Sequence, residues 1–173
     1  IELKKNNNTL SNLEVLDTDK IFIEEIKKNK VILPIVGTIK KNLVVNNSKP
    51  KLKIISKGPN PKNYLFKFKS KITSLEEINN AATGIGFISL LPGIDGIIRS
   101  MPILLNIDNQ IWPSLSLESI RVSNNQKNLL VESDEVGIQT IKTRKNIFIT
   151  DYNGIINIKF KEFKKDNYIS AID

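Results

Sequence analysis

The sequence predicts an α/β fold in which a mixed β-sheet is flanked by a few short helices, with antiparallel hairpins in the C-terminal half. Two observations predict this class. A short amphipathic segment runs directly into the apolar run Val31–Val36, which is typical of a helix that feeds a buried strand. The C-terminal half then contains closely spaced apolar runs separated by Asp, Asn and Gly, a pattern that favours antiparallel turns.

Three short helices are predicted from capping residues that precede apolar positions at helical spacing. The first has Asp17 or Thr18 as its N-cap, and the second has a capping-box pattern that starts at Ser74. Pro113 suits the first position of the third helix, because it lacks the N–H that a helix start leaves unbonded. The predicted helices end near Asn29, at Gly84, and in the polar segment 123–128.

Eight strands are predicted from alternating or continuous apolar runs that end at turn-forming residues. Residues 92–96 are expected to join two of these strands in a hairpin, and Asp151–Gly154 to join the last two. Asp108 and Asn109 predict a further turn. The predicted strands are Val31–Val36, Leu52–Ile55, Tyr64–Lys71, Gly86–Leu91, Ile97–Ile107, Val136–Thr143, Asn146–Thr150 and Ile155–Phe160.

The composition fits one globular domain that spans residues 1–173. Hydrophobic residues make up 40% of the chain and the mean hydropathy is -0.17, which suits a chain that buries a single core. Cys and His are both absent, so disulfides, thiolate metal sites, cysteine nucleophiles and His-based catalytic triads are excluded. We therefore predict no catalytic residues, no metal site and no cofactor.

The formal charge of +8 and the pI near 9.6 raise the alternative of a nucleic-acid-binding or surface-interaction domain. The basic residues are 23 Lys and only 3 Arg, namely Arg99, Arg121 and Arg144. Bidentate recognition of phosphates and bases favours Arg over Lys. Lysines alternate along the predicted strand Tyr64–Lys71, but a solvated strand edge protected by lysines gives the same pattern. Nucleic acid is therefore not expected as the partner.

No segment of the chain has the pattern of a membrane span. Its most apolar stretch, Gly84–Leu105, contains Asp95 and Arg99, and each charge at the bilayer centre would cost roughly 2.5–3.5 kcal/mol. The N-terminal segment Lys4–Ser11 is polar and rich in Asn, which predicts a loop. The chain starts at Ile1 without an initiator Met, so we expect it to be part of a longer protein.

Three blocks in a fixed order carry a resemblance to a known family. They are Gly84–Phe87, Asp95–Pro102 and Trp112–Glu118. A Gly-containing strand, an Asp-Gly-(apolar)2-Arg hairpin and a Pro-Ser-Leu helix start, in this order, resemble the second type of CHASE domain. These are the cyclase- and histidine-kinase-associated sensory extracellular domains. Four segments are similar to the closing strands of that family, namely Val136–Ile138, Ile147–Asp151, Asn153–Gly154 and Tyr168–Asp173.

The resemblance covers about residues 17–173, downstream of the strand–helix unit that usually opens this family. It implies an extracytoplasmic domain on the periplasmic face of a bacterial cell membrane, joined to transmembrane helices and a cytoplasmic cyclase or kinase. Its implied partners are a small-molecule or protein signal, those transmembrane helices and that output domain. A sensor drives its output only through different affinities for two states, so a hinge or a homodimer interface is also expected.

Asp95, Arg99 and Trp112 are the candidate ligand-binding residues. Arg99 could capture an anionic ligand, whereas a salt bridge to Asp95, four residues away, would instead brace the turn. We favour bracing, because no second basic residue is spaced nearby. Trp112 precedes a predicted helix, so its ring either lines a ligand groove or packs in the core, and we favour the core.

Two other motifs have structural interpretations. Gly84 and Gly86 lack the third glycine of a dinucleotide site, which indicates close packing of a strand. Asp95, Asp108 and Asp151 lie in separate predicted turns, so a shared divalent cation would require those turns to meet. A magnesium-dependent enzyme is therefore the least favoured hypothesis, behind the sensory domain and the nucleic-acid-binding domain.

Overall fold

The structure, a computed structural model, describes residues 17–41 and 47–162. The predicted loop Lys4–Ser11 and the family-like segment Tyr168–Asp173 lie outside the described residues. The described helices are α1 (Thr18–Lys28), α2 (Glu76–Ala81), α3 (Leu115–Ser123) and a 3-10 turn at Pro61–Asn63. The strands are β1 (Ile32–Thr38), β2 (Lys53–Lys57), β3 (Lys67–Phe68), β4 (Ser70–Ile72), β5 (Gly84–Phe87), β6 (Ser100–Pro102), β7 (Leu104–Ile107), β8 (Gln110–Pro113), β9 (Asn128–Ser133), β10 (Ile138–Lys142), β11 (Ile147–Ile149) and β12 (Ile155–Asn157).

The described strands form four small sheets with both parallel and antiparallel pairs. The first sheet has the strand order β4-β1-β5, and the second has β11-β10-β9-β2. The other two are the pair β12-β6 and the three-stranded sheet β3-β7-β8. Antiparallel hairpins β7–β8, β9–β10 and β10–β11 lie in the C-terminal half. The predicted α/β class, with mixed strand pairing and antiparallel hairpins in the C-terminal half, is therefore confirmed, although the hairpin predicted at Asp151–Gly154 is not among them.

Hairpin β7–β8 supplies side chains to two apolar clusters, because successive strand residues point to opposite faces. Leu104 and Ile111 belong to the larger cluster, whereas Leu105 and Trp112 belong to the smaller one. All four side chains are buried. The other buried members are Leu65, Ile103, Leu117, Leu129, Val131, Ile138 and Ile141 in the larger cluster, and Ile35, Ile85, Phe87 and Ile107 in the smaller one.

Helix α3 packs directly on strand β5, where two glycines leave no side chain to hold the elements apart. A Cβ atom at Gly86 would lie 2.6 Å from the Cα of Leu115, and one at Gly84 would lie 2.7 Å from Oε1 of Glu118. Both separations are shorter than a van der Waals contact between heavy atoms. The interpretation of Gly84 and Gly86 as close packing is confirmed, and the neighbour that requires it is a helix.

A buried ion pair lies at the same junction. Arg121 Nε and Nη2 each lie 2.7 Å from an oxygen of the Glu118 carboxylate. Glu118 Oε1 also accepts a hydrogen bond from the N–H of Ile85, at 3.3 Å. Arg121 in turn donates to the backbone carbonyls of Thr83 and Gln126. Because an unpaired buried charge is costly, this network holds α3 against the start of β5 and against the loop that follows α3.

Helices α1 and α2 exist as predicted, but the predicted ends of α2 are wrong. Asp17 caps α1, and its side chain accepts a hydrogen bond from a backbone N–H in the first turn. The N-cap of α2 is Leu75 instead of Ser74, and its C-cap is Ala82 instead of Gly84. Gly84 already belongs to β5 and pairs with β1, so sheet formation ends this helix before the glycine is reached.

Helix α3 starts at Leu115, two residues later than its proline predicts. Pro113 is the last residue of β8, where it lies opposite Leu104 of β7. Ser114 is the N-cap, and its hydroxyl oxygen accepts a hydrogen bond from the N–H of Leu117 at 3.2 Å. Pairing with a neighbouring strand therefore outweighs the preference of proline for the first helical position.

Neither of the two predicted hairpins at residues 92–96 and Asp151–Gly154 forms. Strand β5 ends at Phe87 and pairs in parallel with β1, while β6 pairs with β12. Strand β11 pairs with β10 rather than with β12. Each turn therefore joins strands of different sheets. Strand β5 is fully buried, so it gains more from burial between β1 and α3 than from a local hairpin at the surface.

Strand β1 lies in the middle of its sheet, but it is not buried on both faces as its apolar sequence predicts. Ile35 is its one buried residue, and Val36 is exposed. The strand pairs on one edge with β4 and on the other with β5. The continuous apolar sequence of this strand therefore goes with hydrogen-bonded neighbours on both of its edges. It does not mean that both faces of the strand are covered.

The segment Tyr64–Lys71 is not a single strand. It contributes β3 to one sheet and part of β4 to another, because the chain changes sheets at Lys69. Strand β9 has no counterpart among the predicted strands, although its residues alternate between buried and partly exposed along its length. The polar residues on both sides of β9 hide this short pattern in the sequence.

We expect Gly86→Ala to destabilise the protein strongly, because the new methyl group would meet the backbone of Leu115 and displace α3. Overpacking of a core costs about 1–3 kcal/mol, and a rigid backbone neighbour places this variant near the upper end. Urea unfolding measures the change. Gly93→Ala is the matched control, since the nearest atom to its methyl group is Oδ1 of the exposed Asp95 side chain, at 3.0 Å. Equal losses in the two variants would contradict the packing argument.

Candidate functional site

Asp95 and Arg99 form a two-point ion pair in the exposed loop that precedes β6. Arg99 Nη1 lies 3.0 Å from Asp95 Oδ1, and Arg99 Nη2 lies 2.8 Å from Asp95 Oδ2. Asp95 also accepts a hydrogen bond from the N–H of Ile97 at 3.1 Å. The Arg99 guanidinium, followed by this backbone N–H, lowers the pKa of the Asp95 carboxyl. The geometry is that of a braced turn, and ligand capture by Arg99 stays a prediction.

Trp112 lies inside the smaller apolar cluster and is fully buried. Lys71 Nζ lies 5.4 Å from the centroid of its ring, a distance at which a cation and an aromatic face attract. Burial lowers the pKa of the Lys71 ammonium. Trp112 thus has the core position that we favour from the sequence. Its part in ligand binding stays a prediction, and it would require the ligand to reach the core.

The other candidate residues do not assemble into a site. Lys67 and Lys69 are exposed whereas Lys71 is buried, so these lysines do not form one solvated basic edge. Within residues 17–41 and 47–162, no group of three or more acidic side chains could hold a metal ion. The shared magnesium site required by the enzyme hypothesis is therefore not formed by Asp95, Asp108 and Asp151.

An open groove lies between the segment around β2 and strand β8. Its volume is about 330 Å³, which is the size of a site for a small molecule. Lys62 at its edge donates to the backbone carbonyl of Asn109 at 2.6 Å. The groove has a mostly apolar floor with lysines at its sides. Its lining residues are Lys49, Pro50, Leu52, Ile54, Lys62, Gln110 and Ile111.

A second, more polar hollow lies where the loop after α3 meets the turn between β10 and β11. Its volume is about 270 Å³, and it is lined by residues 124–128 together with Arg144. Gln126 is 9% exposed, and both its side-chain Nε2 and Oε1 are buried without a hydrogen-bond partner in the described part of the chain. A buried carboxamide of this kind is costly unless another molecule completes its hydrogen bonds.

The sequence contains a signal for the buried ion pair but none for the polar hollow. Glu118 and Arg121 are three residues apart on an amphipathic helix, which is the spacing of a same-face ion pair. Gln126 lies in the loop between α3 and β9, and Arg144 lies 18 positions later, in the turn between β10 and β11. Only the folded chain brings them together. Neither residue belongs to a motif that spacing alone identifies.

A match to a known family shows which family the chain belongs to. The CHASE2 domain family matches residues 3–173, which is nearly the whole chain. The chain belongs to the CHASE2 family. The resemblance seen in the sequence is therefore confirmed. No curated protein and no solved structure matches the chain.

CHASE2 domains are extracellular sensory domains, so the chain is a sensory domain of the extracellular type. The family is defined by sensing and not by catalysis. No helix among the described residues is both long enough and apolar enough to span a membrane.

Fluorescence tests the core position of Trp112, which is the only tryptophan in the chain. Because the ring is fully buried, we expect acrylamide to quench its emission weakly in the native protein and strongly in urea. Lys71→Met should shift the native emission spectrum, since it removes the cation next to the ring. Lys67→Met, at an exposed position, is the control and should leave the spectrum unchanged. Strong quenching of the native protein would place Trp112 at the surface instead.

Proposed function

We propose that the chain is the signal-sensing domain of a bacterial transmembrane receptor and lies on the periplasmic face of the cell membrane. The observation that carries this proposal is the CHASE2 match over residues 3–173. A small-molecule or protein signal binds the domain, and transmembrane helices pass its change of state to a cytoplasmic cyclase or kinase. The domain itself acts as a binder and not as an enzyme.

The chemistry of the described surface supports a binding role. Two concave regions of about 330 and 270 Å³ open to solvent. Arg99 is exposed as well, and an anionic signal that displaced the Asp95 carboxylate would bind it at the cost of the braced turn. A ligand shifts a two-state equilibrium only by its difference in affinity for the two states. Either a hinge in the domain or an interface in a homodimer is the element that such a ligand would move.

The competing function is nucleic-acid binding, which the net charge of +8 favours. A domain that binds phosphates through lysines loses affinity steeply as salt rises, because it releases counterions from the nucleic acid. Titration of a fluorescein-labelled DNA duplex at low and high salt distinguishes the two functions. The sensory proposal expects no saturable binding at either salt concentration, whereas tight binding with a steep salt dependence would favour the alternative.

Reporter fusions test the location. In the gene that encodes this chain, alkaline phosphatase or green fluorescent protein is placed directly after Asp173. Alkaline phosphatase is active only outside the cytoplasm, so we expect the phosphatase fusion to be active. We expect the fusion to green fluorescent protein to show no fluorescence. The 173-residue chain expressed alone with the same two reporters is the matched control and should give the opposite result. A fluorescent fusion in the natural gene would overturn the proposed periplasmic location.

A further inference from the structure

We infer that the polar hollow formed by residues 124–128 and Arg144 binds a small hydroxylated oxyanion, which is a carboxylate or phosphate that also carries hydroxyl groups. The role of this hollow as the input of the sensor rests on the proposed function, whereas ligand binding itself does not. The inference starts from the electrostatics of the hollow and from the unused hydrogen-bonding groups of Gln126.

The charge of the hollow selects an anion. Lys127 and Arg144 both line it, and neither side chain has an acidic partner in the part of the chain that the structure describes. No Asp or Glu is among the lining residues. The planar guanidinium of Arg144 matches the two oxygens of a carboxylate or phosphate group better than a point charge does.

Gln126 selects for hydroxyl groups. Its Oε1 needs a donor and its Nε2 needs an acceptor, and a hydroxyl group can act as either. Two of the neighbouring amides are each engaged through one atom, since Asn124 Nδ2 donates to the Ile120 carbonyl and Asn125 Oδ1 accepts from Lys30 Nζ, both at 2.9 Å. Among the lining residues of the described chain, Gln126 is therefore the one whose amide oxygen and nitrogen are both buried without a partner.

The size of the hollow favours a small ligand. A volume of about 270 Å³ corresponds to about nine water molecules. None of the lining residues is aromatic, so the hollow lacks the stacking surface that single-stranded nucleic acid uses. The groove beside β2 is the weaker anion site, because its floor is apolar and its Lys62 already donates to a carbonyl.

The hollow is also connected to the buried ion pair. The backbone carbonyl of Gln126 accepts a hydrogen bond from Arg121, and Arg121 pairs with Glu118 at the junction of α3 and β5. A ligand that moves Gln126 therefore acts on the residue that fixes helix α3. This connection places the site where occupancy can change the packing of the core.

Calorimetric titration of the 173-residue chain with D-glycerate, glycerol 3-phosphate and glycerol tests the inference. We expect at least one charged probe to bind about tenfold or more tightly than glycerol, because a charge-assisted hydrogen bond contributes at least this factor. Whichever charged probe binds more tightly shows whether the hollow prefers a carboxylate or a phosphate group. Charged probes that bind no more tightly than glycerol would overturn the inference.

Arg144→Ala locates the site. It should weaken the binding of the charged probe about tenfold and leave glycerol unchanged. Lys49→Ala, which removes one positive charge from the groove, is the matched control and should leave the affinity unchanged. Both residues are exposed, so neither change is expected to disturb folding. Equal losses in the two variants would show a general charge effect and would contradict a site at the hollow.

Gln126→Met separates a binding role from a structural one. Methionine has a similar shape and removes the two unpartnered polar atoms, so we expect the melting temperature of the free protein to rise by roughly 2–4 °C. The affinity for the charged probe should fall about tenfold or more. A lower melting temperature with unchanged affinity would show that Gln126 has a structural role and would contradict the inference.

Discussion

Helix α3 lies against strand β5 with no side chain between them at Gly84 and Gly86, and this close approach is the constraint on which the rest of the fold depends. It requires glycine at these two strand positions, and a buried salt bridge between Glu118 and Arg121 lies at the same junction. Removing either charged partner would leave the other buried and unpaired, which typically costs about 3–5 kcal/mol. The junction is therefore held by packing and by electrostatics at the same point.

The position of this junction relates the two apolar clusters to the surface. Leu117 of α3 enters the larger cluster, while Ile85 and Phe87 of β5 belong to the smaller one. Arg121 reaches from the junction to the Gln126 carbonyl in the loop beyond α3. A signal that changes this loop can therefore reach both clusters through one helix. A sensory domain needs an element of this kind, since it must convert local binding into a change that its neighbours detect.

Local features of the fold follow from the sequence, and distant pairings do not. The Asp17 cap of α1, the turn at Asp108 and the strands β10, β11 and β12 have signals within a few residues. The pairing of β5 with β1, by contrast, joins segments about fifty residues apart, and the local hairpin pattern competes with it in the sequence. Among the candidate site residues, the Asp95–Arg99 pair follows from its spacing, whereas Gln126 and Arg144 meet only after folding.

Native-state hydrogen exchange of the Ile85 amide is the most direct test of the central claim, because this N–H donates to Glu118 inside the α3–β5 junction. If the junction holds the fold together, this amide exchanges only through global unfolding, with a free energy equal to that from urea denaturation. Exchange at a much lower free energy, while the amides of β9 and β10 remain protected, would show that α3 leaves β5 independently and would contradict the account.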